Sequence, residues 1–128
     1  MKAELQKELF NKYPKIFKQK DDSMKTTCMC WGIECGDGWY WLIDNLCSQL
    51  QWDTDRNGYS QIEAVQVKEK YGGLRFYANV VNEKQMDVIS FAEFLSKSIC
   101  EECGKHGATQ NDTGWITTLC KECRNEST

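Results

Sequence analysis

The chain has 128 residues but only one proline and one histidine, and it holds no apolar run long enough to cross a membrane. So little proline, with no low-complexity tract, argues against a disordered tail. The lone histidine, His106, lacks the nearby glutamate pattern of a zinc deaminase or a metalloprotease, and no nucleophile–base pair can be assembled around it. It is read as an exposed loop residue, with a metal-ligand role as the alternative. The opening Met-Lys-Ala-Glu has no apolar signal segment, so the expected setting is a reducing cytoplasm. A phosphate-binding loop is also missing, because Gly72-Gly73 leads into a strand and not a helix.

Cysteine, by contrast, is abundant at eight residues. Cys100-Glu101-Glu102-Cys103 and Cys120-Lys121-Glu122-Cys123 are separated by sixteen residues. Two intervening residues let one tight turn aim both sulfurs at a common point, and two such turns supply four thiolates for a closed tetrahedral Zn²⁺ site. Gly104 permits the left-handed turn of a zinc knuckle, and Trp115 to Leu119 is β-rich. Residues 98–128 are therefore expected to form a zinc ribbon or treble-clef module with one structural Zn²⁺ on Cys100, Cys103, Cys120 and Cys123. Disulfides are the alternative in an oxidising compartment. A thioredoxin-like role fits less well, because Glu101 and Glu102 raise the thiol pKa.

Charge is unevenly spread. Residues 1–20 carry six lysines against two glutamates, residues 21–60 two basic against seven acidic groups, and 61–99 five of each. From residue 100 onward there are three basic and five acidic groups, so the metal module lacks the basic face expected of a nucleic-acid-gripping ribbon.

The core is expected in residues 1–97. Leu5, Leu9, Phe10 and Tyr13 lie on one side of a first helix that Pro14 ends, with Glu4 and Glu8 spaced to pair with Lys7 and Lys12. Asp37 is placed to cap a second helix with the stripe Trp39, Leu42, Ile43, Leu46, Cys47 and Leu50. Cys47 on this stripe is a buried thiol, although Cys28, Cys30, Cys35 and Cys47 also form a candidate second metal set. The Gly36-Asp37-Gly38 turn is a place where a ligand pocket could open. A polar loop at 53–58 precedes a hairpin of Ile62 to Glu69 and Leu74 to Val81, with Leu74, Phe76, Ala78 and Val80 on one face. The other face gathers Gln66, Lys68, Arg75 and Tyr77 near Lys70, a candidate anion, nucleotide or partner surface whose plainer reading is a solvated strand face. Asn82 and Gln85 form a capping box for a third helix with the stripe Val88, Phe91, Ala92, Leu95 and Ile99, which leads directly into Cys100. The expected fold class is thus α+β: three helices on a hairpin or small antiparallel sheet, with a docked C-terminal metal module.

The segments Cys28–Trp39, Val67–Tyr77 and Cys100–Cys123, in this order, resemble a family of small, largely uncharacterised bacteriophage and prophage proteins. The resemblance implies a virus-encoded protein working inside a bacterial host cell, and it carries no catalytic residues to transfer. The first functional expectation is stoichiometric binding of a bacterial protein, inhibiting host defence or regulation, with the acidic stretch 21–60 and exposed aromatics as docking elements. The second is nucleic-acid or nucleotide binding by Lys68, Lys70, Arg75 and Tyr77. The third is an enzyme using Asp37 or Glu34 near Cys35.

Overall fold

The computed structural model describes residues 1–126 and follows many of the breakers in the sequence. Helix α1 (Ala3–Lys12) stops just before Pro14, after which Ile16 and Phe17 turn fully inward. Helix α2 (Tyr40–Asn57) buries Leu42, Ile43, Leu46, Cys47 and Leu50, with Trp39 fully buried just before it. It also runs through the segment expected as a polar loop, and Gly58 ends it in the left-handed conformation. Asp53 and Thr54 are buried in that last stretch because each has a partner. Asn57 Nδ2 donates to Asp53 Oδ1 at 2.9 Å, and Gln85 Nε2 donates to Thr54 Oγ1 at 3.0 Å.

Strands β2 (Glu63–Lys70) and β3 (Gly73–Asn79) form the expected hairpin. Tyr71 and Gly72 make the turn, both with positive φ (52° and 81°), which matches the twist of the flanking strands. A short β1 (Ile33–Glu34) adds to β2 in parallel, so the sheet is mixed where an antiparallel one was expected. A bulge between Ala64 and Gln66 resets the alternation, and Ala64 and Val67 both face the core. Val80 departs from its expected inward position: its φ is 59°, it lies past the end of β3, and it is exposed.

Helix α3 (Glu83–Ser96) starts with the expected capping box but is rotated from the expected stripe. Gln85, Ile89, Ala92 and Ser96 face inward, whereas Phe91 is 61% exposed. The cause is the edge of β3. Ser96 Oγ accepts from Leu74 N and Glu93 Oε2 accepts from Phe76 N, both at 2.9 Å, which satisfies backbone donors that would otherwise be left open. The opposite edge is treated alike, since Gln6 Oε1 on α1 accepts from Ile33 N at 2.9 Å. Beyond α3 follow a hairpin of β4 (Ala108–Asp112) and β5 (Trp115–Leu119) and a short helix α4 (Lys121–Glu126). Helix α4 brings the α-helices among the described residues to four, one more than expected. No helix among the described residues is long and apolar enough to cross a membrane.

The lysines of α1 do not pair along their own helix. Lys12 Nζ reaches Asp44 Oδ1 on α2 at 2.8 Å, and the Tyr13 hydroxyl donates to the same carboxylate. Burial pushes the Asp44 pKa up, but Lys12 and Tyr13 outweigh it and hold the carboxyl below its ordinary value. A depressed folded-state pKa stabilises the protein above the unfolded-state value and is lost as pH falls through the folded one. Asp44→Asn is therefore expected to cost about 1–2 kcal/mol at neutral pH. That gap closes in acid, below the depressed pKa, in urea melts of both proteins across the pH range; a gap that persists there would remove Asp44 from this role.

Candidate metal centre

The first cysteine pair is presented by a tight turn after α3. Gly104, with φ 82°, returns its N–H to Cys100 O at 2.9 Å, and Cys100 N donates to Lys105 O at 2.7 Å. The second pair comes from the end of the hairpin: Cys120 directly follows β5, and Cys123 sits in the first turn of α4, with its N–H on Cys120 Sγ at 3.4 Å. Knuckle, hairpin and helix in this order are the treble-clef arrangement, one of the two expected. The polar β4, exposed along its whole length, gave no apolar alternation to read, and six-residue α4 is too short to show a period.

The ligand atoms of Cys100, Cys103, Cys120 and Cys123 all lie within 4.8 Å of one another. Cys103 Sγ and Cys120 Sγ are 3.6 Å apart, far longer than a disulfide, and all eight cysteines are free. Four sulfurs converging on one point can hold a metal ion. Burial opposes ionisation of Cys100, yet the backbone N–H groups of Cys120, Cys103 and Glu102 outweigh it and lower its pKa to about 7. Among the described residues this is the one such group of three or more cysteine, histidine or carboxylate donors. Cys28, Cys30, Cys35 and Cys47 are not gathered into a second site: Cys28 is exposed, while Cys47 is enclosed in the core. His106 is exposed and belongs to no donor group.

The Gly36-Asp37-Gly38 turn, expected as the mouth of a pocket, packs against the first knuckle. Gly38 N donates to Glu101 O at 2.7 Å, Gly36 N donates to Glu101 Oε2 at 2.9 Å, and the indole of Trp39 donates to Ile99 O at 2.8 Å. A Cβ on Gly38 would lie 2.1 Å from Cys100 O and 2.6 Å from Gly104 N. Asp37 does not cap α2; it accepts from Lys2 N at 2.8 Å, at the start of α1. The turn of the other hairpin makes a second contact. Thr118 Oγ1 donates to Gly72 O at 2.6 Å, and a Cβ on Gly72 would press on Ile116, Thr109 and Thr118.

The remaining candidate residues divide. Lys68 and Arg75 stand in register across the β2–β3 hairpin, next to Gln66 opposite Tyr77, whereas Lys70 lies at the turn with its Nζ over the Tyr71 ring. Cys35 is buried, and burial with the nearby Glu101 carboxylate pushes its thiol up to about 12, the opposite of an activated nucleophile. No known protein family, curated protein or solved structure matches this chain.

Gly38→Ala is expected to separate the knuckle from the core, because the obstacle is backbone on both sides. The expected loss is about 3 kcal/mol, with faster amide exchange at Cys100–Gly104 and a red-shifted Trp39 emission. Gly58→Ala is the control: nothing lies within 4 Å of its added Cβ. Its cost is the left-handed backbone alone, about 1 kcal/mol. Equal stability of the two variants would show that the contact is not tight.

Proposed function

We propose that the centre holds one structural Zn²⁺ and that the chain is a recognition protein, encoded by a bacteriophage, that binds a bacterial host protein one to one. A tetrahedral Zn(Cys)₄ site with Zn–S near 2.3 Å requires sulfurs about 3.8 Å apart. The 3.6 Å between Cys103 and Cys120 is consistent with that spacing. Four cysteines leave no open position for a substrate, so the metal's part is structural. Native mass spectrometry is expected to find one zinc per chain in the wild type and none in Cys120→Ser. A folded chain that takes up no zinc would remove the ion from the proposal.

The observation that carries the recognition role is the fate of the tryptophans. Of the five, only Trp39 is in the core; Trp31, Trp41, Trp52 and Trp115 are between 53% and 75% exposed. Large aromatics left in water favour association, since tryptophan is enriched among residues that dominate protein–protein affinity. Trp41 and Trp52 are eleven residues apart, three turns along the outer face of α2, and this helix lies in the acidic stretch 21–60. Arg56 stacks on the Trp52 ring, Lys12 takes up Asp44 and Asp53 is buried, so the pair suits a largely apolar partner surface. Binding there would block that surface on a host defence or regulatory component.

Size-exclusion chromatography with a bacterial host extract is expected to yield a one-to-one complex. Trp41→Ala with Trp52→Ala should abolish it while stability changes by only about 0.5 kcal/mol, as for other exposed positions. A complex indifferent to both substitutions, or a chain that elutes alone, would overturn the assignment.

A further inference from the structure

We infer that the outer face of the β2–β3 hairpin is a binding site for a nucleoside monophosphate, with Arg75 and Lys68 on the phosphate and Tyr77 against the base. The inference does not depend on the protein-recognition role, which uses α2. Lys68 and Arg75 are directly opposed across the strands, where like charges repel at close range. Glu34 on β1 is in register with Lys68, yet among the described residues neither cation forms an ion pair. Among the described residues Arg75 also carries the one buried side-chain nitrogen or oxygen without a hydrogen-bond partner, its Nε. A guanidinium with an unsatisfied Nε, set directly opposite a second cation, is suited to an anion whose several acceptor oxygens can neutralise both, as those of a phosphate can.

The second observation is the space beside it. One residue pair further along the same face, Gln66 and Tyr77 border a shallow, open depression of about 520 Å³ that Thr26, Thr27, Cys28, Val65 and Asn79 complete. Residue pairs on one face of a sheet repeat about every 7 Å, close to the separation between a nucleotide's phosphate and its base. Tyr77 is partly exposed and offers a ring face for stacking. The amides of Gln66 and Asn79 each supply a donor and an acceptor for a base edge.

Isothermal titration with adenosine and uridine monophosphates, the parent nucleosides and inorganic phosphate tests the site. A saturable monophosphate signal, about tenfold or more tighter than either fragment alone, is expected. Arg75→Gln should weaken monophosphate binding about tenfold, with Arg75→Lys recovering only part because the fork is lost. Tyr77→Ala should weaken the nucleotide without changing the phosphate. A short single-stranded oligonucleotide distinguishes the source: tighter binding than the monophosphate, still lost in Arg75→Gln, means that a strand end presents the same group. Chemical-shift mapping on the unmodified chain covers the case of a variant that does not fold. No saturable binding at millimolar nucleotide, unchanged affinity in a folded Arg75→Gln, or shifts confined to other surfaces would each overturn the inference.

Discussion

The contact of Gly36 and Gly38 with the first cysteine turn is the constraint on which the rest of the molecule depends. The C-terminal module has almost no apolar interior of its own: among the described residues its buried apolar cluster is Cys100, Leu119, Cys120 and Cys123. So few groups cannot offset the entropy of ordering this segment, and docking on the larger core has to contribute to its cohesion. Backbone meets backbone at this junction, with Gly38 N on Glu101 O, and the indole of Trp39 extends the contact to Ile99. The sequence from Cys35 to Trp39 therefore links the first cysteine turn to the buried side of α2.

What could be read from the residues alone was whatever had a period or a fixed spacing. The α2 stripe, the capping box of α3, the hairpin and the two CxxC pairs each announce themselves within a few residues of one another. What could not be read depends on partners distant in sequence. Phe91 has the right spacing for a buried stripe, but the helix turns to offer Ser96 and Glu93 to the edge of β3, and polar side chains displace an aromatic one. The glycines of the Gly-Asp-Gly turn suggested room for a ligand; the room is filled by the chain's own backbone. Strand β4 was invisible because it is polar throughout and held by hairpin pairing.

The cysteines divide into two chemical groups that sequence spacing only partly separates. The C-terminal four are drawn together by two turns; backbone N–H groups around Cys100 favour its thiolate, whereas the neighbouring Cys120 side chain pushes Cys123 up. Cys35 and Cys47 converge on no other cysteine and are enclosed where burial keeps them protonated. Cys28 and Cys30 lie close to Cys35 in sequence, yet they flank Met29 at the start of a 3₁₀ turn, where residues two apart point in different directions, so one thiol meets solvent and the other is partly covered.

The hydrogen bonds that α1 and α3 make to the two sides of the central sheet have a consequence for how this protein can associate. Side-chain oxygens from Gln6, Ser96 and Glu93 occupy the donors that another strand would use. Addition of a foreign strand, the common route to runaway polymerisation, is therefore blocked on both flanks. A chain that shows four tryptophans to water without an open flank on that sheet can keep a sticky exterior and still avoid fibrous self-assembly through it.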